Sequence, residues 1–231
     1  KNATINSISN SEYSDATINV ESGNFKTLSN TKGTVNITGG TFEHTGEIIT
    51  NSGTMTIDNV VITYTSSVRA IYNSGTLDIS NTTITSNARA IHTEYKSSIT
   101  TIKENVTINS SDTGIYVENG TVNIGIKGNI NLDTPVITGT NYGIYNKTTN
   151  GKINFYDGMI KGAPNQSIYG IVEPEPGYKI KKTINASNLE EAILEIIGTE
   201  ERVIVVNGLN FIDLQAAIND CVDGGTVKLH R

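Results

Sequence analysis

The sequence predicts an all-β fold: a right-handed parallel β-helix, a solenoid of roughly seven coils, followed by a small C-terminal α/β module of two helix–strand units. Three observations predict it. A short strand recurs about every 22 residues, each copy alternates apolar with polar side chains, and the gaps between strands are too short for a crossover helix. The composition fits a thin, repeated core. Of 231 residues 36% are apolar and 6% aromatic, with no Trp, while only 17% are charged, so the signature of a disordered chain is not met.

The first strand of the repeat reads along residues 34–37, 54–57, 76–79, 121–124 and 152–155, with a weaker copy ending at Ile102. The closing residues Ile37, Ile57, Ile79, Ile102, Ile124 and Phe155 are 20, 22, 23, 22 and 31 residues apart. Period-two alternation puts these side chains on a core face and the intervening Thr, Asn and Asp in water. A polar corner follows, holding Gly40, Asn59, Asn81, Asn105 or Gly158, the residue types that accept a left-handed backbone. A second strand then runs through Phe42, Ile62 and Ile84, and a third carries Ile71, Ile91, Ile115 and Ile144. The long step before Phe155 calls for an excursion from the coil, expected over 131–142, where Pro135 and Gly139 lie.

The repeat stops near Glu173, and the Pro–Gly punctuation up to Gly177 reads as a linker, which divides the chain into 1–172 and 173–231. Beyond it, Ser187 and Glu190 have the spacing of a capping box and open a helix over 189–197. Asp213 is placed to cap a second helix over 214–222. Strands over 202–206 and 226–229 follow the two helices.

Residues 14–172 resemble the pectate-lyase-like right-handed β-helix superfamily, in the Thr/Asn/Gly-rich form of bacterial surface proteins. The tail units, with Leu189, Ala192 and Ile193 matched by Leu214, Ala217 and Ile218, resemble the amphipathic helix and first strand with which such β-helices begin. The resemblance implies that Leu189, Ile193, Leu214 and Ile218 pack over β-strands. Either these units cap the far end of the coils, or they open a second β-helix beyond Arg231; the second is the expectation, with the native protein continuing into more coils as a multi-domain rod. The resemblance leaves function open, since lyases, hydrolases, tailspikes and adhesins share the fold.

The chemistry that the resemblance would bring is not visible. Lyases of this superfamily hold calcium with aspartates along one sheet, but Asp58, Asp78, Asp112, Asp133 and Asp157 fall at different phases of the repeat, so no metal site and no cofactor are expected. The polygalacturonase-type motifs are missing, and none of His44, His92 and His230 is followed by Gly. A net charge of −6 with no basic cluster longer than the one at 179–182 argues against nucleic acid. No apolar run approaches the ~20 residues that span a membrane. The single cysteine, Cys221, excludes a disulfide framework and lies in an apolar stripe, which suits a buried thiol.

One constellation stands out. The residue after the third-strand isoleucine is Tyr72, His92, Tyr116 and Tyr145 in successive coils, which places four rings outside, ~4.8 Å apart along one face. Such a strip suits sugar rings, which offer apolar faces and polar edges. The competing account is that the rings only stabilise one another across coils. Catalytic residues are not expected. The function expected is a non-catalytic adhesin or stalk segment, extracellular or on a bacterial cell surface, with polysaccharide or a host or cell-surface ligand as partner. The alternative is a polysaccharide lyase or glycoside hydrolase, with Tyr72 and His92 as the one conceivable acid–base pair.

Overall fold

A computed structural model describes residues 4–11, 13, 15–131, 133–197, 204–206, 209–211 and 228–229. The repeat folds as a parallel β-solenoid. One face is an eight-stranded parallel sheet running from Thr17–Val20 to Glu173–Pro174, which gives about eight turns. Two further faces are joined into one sheet because the strand Asn24–Asn30 turns the corner, pairing with Gly40–His44 at one end and Ile49–Asn51 at the other.

The core is as thin as the composition requires. Ile37, Ile57, Ile79, Ile102 and Ile124 stack in register on the first face and are fully buried, with Phe155 above them. Phe42, Ile62, Ile84, Ile108, Ile137 and Ile160 line the second face. Ile49, Ile71, Ile91, Ile115 and Ile144 line the third. Each isoleucine meets its equivalents one coil away, so burial depends on neighbours rather than on any single turn. At the corners Asn59, Asn81 and Asn105 have φ of 55°, 46° and 56°, the left-handed backbone that lets a coil change face within one residue.

Inside one corner the chain stores a column of asparagines that the hydrophobic pattern does not announce. Asn30, Asn51 and Asn73 occupy equivalent positions and are buried. Asn30 Nδ2 donates to Asn51 Oδ1 at 2.9 Å and Asn51 Nδ2 to Asn73 Oδ1 at 3.0 Å. Asn73 Nδ2 then donates to Thr100 Oγ1 at 2.9 Å, and the Thr93 hydroxyl joins it at 2.8 Å. The same amides also donate to the backbone carbonyls of Thr54, Thr76 and Ile99, tying the third face to the first.

Two expectations are corrected. The excursion of the long coil lies before Pro135, over 125–135, and not over 131–142: Val136–Gly139 is a strand paired with Thr107–Ser110, and Ile137 is core. The extra residues enter at the corner after Ile124, because removing a strand from the stack would break the ladders on both sides. Nor is 189–197 a helix: Glu190–Ile196 is a strand, antiparallel to Met159–Gly162. The apparent capping box is a turn, with Asn188 at φ 58° and the Asn185 side-chain Oδ1 accepting from the backbone N–H groups of Ser187 and Leu189. Ala192 and Leu194 alternate inward, and the open edge of the last full coil supplies a row of unpaired backbone groups that outbids helix propensity. Of the residues expected to pack over strands, Ile193 lies opposite Met159 within the sheet instead.

Contacts divide the chain into two compact units, one of 1–175 with 180–194, the other of 176–179 with 195–231. In the second, Ile204–Val206 pairs antiparallel with Leu209–Phe211 and with Lys228–Leu229. The helix expected over 214–222, with Leu214, Ile218 and Cys221, lies outside the described residues, as do 226–227.

Candidate functional site

The outer side of the third face carries the predicted strip. Because Ile71, Ile91, Ile115 and Ile144 point inward, Tyr72, His92, Tyr116 and Tyr145 fall outside in direct register. The column extends one coil further than the sequence reading placed it, to Tyr169, which is opposite Tyr145. Tyr142 joins from the neighbouring column, three residues before Tyr145. The signals that would have found these two are plain in retrospect: an Ile-Tyr pair recurs at 168–169, and a Tyr stands at 142 where the earlier coils have Arg69 and Arg89.

Ring geometry decides what this strip presents. Tyr116 and Tyr145 stack at 5.3 Å with planes 9° apart, and Tyr145 and Tyr169 at 4.6 Å and 5°. His92 meets Tyr72 and Tyr116 edge-on, at 5.8 and 4.9 Å. The Arg89 guanidinium lies over Tyr116 at 3.8 Å and that of Arg69 over Tyr72 at 4.3 Å. Ring faces are therefore engaged by neighbours, as cross-strand pairing requires. His92 and Tyr116 are buried within the column, Tyr72, Tyr142 and Tyr145 are partly exposed and Tyr169 is exposed, with Glu94, Glu118 and Lys147 following on the far side.

Tyr142, Tyr145, Tyr116, Arg89, Asp112 and Thr113 enclose a groove of about 240 Å³ beside the strip. Asp112 there accepts from the Asn141 amide at 2.9 Å. Tyr72 sits at the opposite end, where burial and the adjoining Glu94 carboxylate push its hydroxyl well above the ordinary tyrosine range. Lys147 donates to Glu118 at 2.5 Å and holds that carboxyl below its usual value.

His92 is the exception in the column. Its side chain is only 6% exposed, and neither ring nitrogen has a hydrogen-bond partner. Glu118 Oε2 lies 3.4 Å from Nε2 but off the donor direction. Burial lowers the imidazole pKa, and the nearby Arg69 and Arg89 lower it further, so the ring is neutral. Both nitrogens are sealed from solvent, so the geometry gives no support to Tyr72 and His92 as an acid–base pair acting on a substrate.

The remaining expectations about chemistry concern acids and metals. Asp58 lies opposite Ser80, and Asp78 opposite Thr56 and Thr101, so these aspartates do not stack. Asp58 is instead hydrogen-bonded to Asn81 and Ser80, which depress its pKa. Among the described residues no three His, Cys, Asp or Glu side chains converge as a metal site, and no helix is long and apolar enough to cross a membrane. No protein-family model, curated protein or solved structure matches the chain.

Proposed function

We propose that this solenoid is a non-catalytic recognition segment, extracellular or displayed on a cell surface, that binds carbohydrate along its aromatic face. The observation that carries the reading is the unbroken column of Tyr72, His92, Tyr116, Tyr145 and Tyr169 with a groove opening beside it between Arg89 and Tyr142. A glycan offers hydroxyls at regular intervals and small apolar patches. Phenol edges, a guanidinium and the Asp112 carboxylate match that mixture of polar and apolar contact. Since ring faces are largely used within the protein, recognition rests on hydroxyl and guanidinium contacts in the groove. The half-exposed Tyr169 supplies further ring surface at the end of the column. A rigid solenoid holds these groups at fixed spacing, which removes much of the ordering cost of binding.

The test is retention on a glycan array and titration calorimetry with a panel of neutral and acidic polysaccharides. Tyr142→Ala, at a half-exposed groove residue, is expected to weaken binding about tenfold or more, the scale of one lost aromatic contact. Absence of binding across the panel, or binding that Tyr142→Ala and Tyr169→Ala leave unchanged, would refute the reading.

A further inference from the structure

At the end of the first unit, away from the aromatic face, two side chains converge on one carboxylate oxygen of a third. Lys161, on the strand Met159–Gly162, lies directly opposite Glu191 in the antiparallel pair, with its Nζ 3.0 Å from Glu191 Oε1. The same Oε1 accepts from Asn185 Nδ2 at 2.8 Å. The other half of the Asn185 amide is also fixed: its Oδ1 accepts the backbone N–H of Ser187 at 2.9 Å and of Leu189 at 3.1 Å. A primary amine, a carboxylate and a primary amide whose carbonyl oxygen is held by two N–H donors make up the parts of an acyl-transfer site.

We propose that Lys161 and Asn185 condense to an intramolecular isopeptide bond, with Glu191 as the proton shuttle. The ammonium of Lys161 gives a proton to the Glu191 carboxylate, and the freed Nζ lone pair attacks Asn185 Cγ. The carbonyl electron pair moves to Oδ1, where the N–H groups of Ser187 and Leu189 hold the developing negative charge. Glu191 passes its proton to Nδ2 and takes one from Nζ. The Cγ–Nδ2 bond then breaks, its electron pair leaves with nitrogen as ammonia, and the remaining proton on Glu191 is lost to solvent. The products are one Nζ–Cγ amide and one ammonia, with no oxidant or reductant involved.

The arrangement is specific. Glu191 touches both the attacking and the departing nitrogen, which is where a shuttle must sit. Its carboxyl is held below the usual range by the Asn185 amide and by Lys161, so it rests as the anion, the form that takes a proton. Asn185 lies in the turn that leads into the reversed strand Glu190–Ile196, so the bond would staple that turn to the strand Met159–Gly162.

Intact mass spectrometry of the full chain, folded and kept at neutral to mildly alkaline pH, tests this. The expected result is the loss of one ammonia and, after proteolysis, a branched peptide joining Lys161 to Asn185. Lys161→Arg keeps the ion pair and Glu191→Gln the shape, and both are expected to keep the full mass. A wild-type mass that stays at the full value throughout would overturn the proposal. So would an ammonia loss that persists in Lys161→Arg or yields only linear peptides, which would mark a succinimide at Asn185.

Discussion

The asparagine column makes a sharp demand on Asn51. Its amide donates to Asn73 Oδ1 and to the Thr76 carbonyl, and its carbonyl accepts from Asn30 Nδ2, all within 3.0 Å and out of contact with water. Replacement by Ala deletes three hydrogen bonds. The partners are not left entirely bare, since Asn30 Nδ2 keeps the Thr54 carbonyl and Asn73 Oδ1 keeps the Gly75 N–H. At ~1 kcal/mol for each bond lost, Asn51→Ala costs about 3 kcal/mol, and a cavity term adds to it. Thr56→Ala is the matched control: it deletes one half-exposed hydrogen bond on the outside, from Thr56 Oγ1 to Asn36 Oδ1 at 2.8 Å, and should cost under about 0.5 kcal/mol. Urea unfolding followed by circular dichroism compares the two, with amide exchange reporting the coils separately, since repeat arrays need not unfold in one step. Equal midpoints for the two variants would refute the view that the inner column ties the third face to the first.

Three further outcomes follow from the same geometry. Ile79→Asp places a charge between Ile57 and Ile102 with no partner, should cost more than about 4 kcal/mol, and should remove exchange protection from adjacent coils together; protection lost at one coil alone would contradict the stack. Stability should fall with acid because of His92: its folded pKa lies below the unfolded 6.5, so the contribution is present above 6.5 and is lost as pH falls from there through the folded value. In His92→Phe that part of the pH slope should vanish, and a slope identical to wild type would clear His92 of the effect. Deleting the exposed Lys127 and Gly128 from the corner excursion should shift stability by less than about 1 kcal/mol, and a loss several times larger by urea titration would show that the excursion is part of the coil.

The solenoid was readable because its signal is redundant: the same isoleucine phase recurs in every coil, and one ambiguous copy, such as that ending at Ile102, is corrected by its neighbours. Redundancy ended at the tail. Residues 189–197 have the composition of either a helix or a strand, and the choice fell to an unpaired sheet edge that no local pattern reveals. The strip was legible for a similar reason to the core, since period two sends the residue after each inward isoleucine outward. Its ring orientations were not. Whether Tyr116 offers a face or an edge depends on Arg89 and Tyr145, one from the coil before and one from the coil after, and that information is spread over 57 positions of chain. Asn30, Asn51 and Asn73 were passed over because a buried amide looks like any corner residue until its column partners are known.

The reversed strand Glu190–Ile196 also bears on how solenoids keep to themselves. A stack of parallel coils is a template that copies its own direction: each finished coil offers the next an edge of the same polarity, and a second molecule can read that edge as well as the chain itself can. An antiparallel strand laid on that edge changes what is offered. The outermost strand, Tyr178–Ile184, folds back on it as a hairpin closed by the Asn185 N–H donating to the Leu189 carbonyl at 2.9 Å, so the edge is occupied by the chain's own two strands, and Lys182 there is paired with Glu190. At this end of the sheet the edge of the last coil strand, Met159–Gly162, is taken by the chain's own hairpin, so another molecule's coil cannot pair there without first displacing Ala192 and Leu194 from the core.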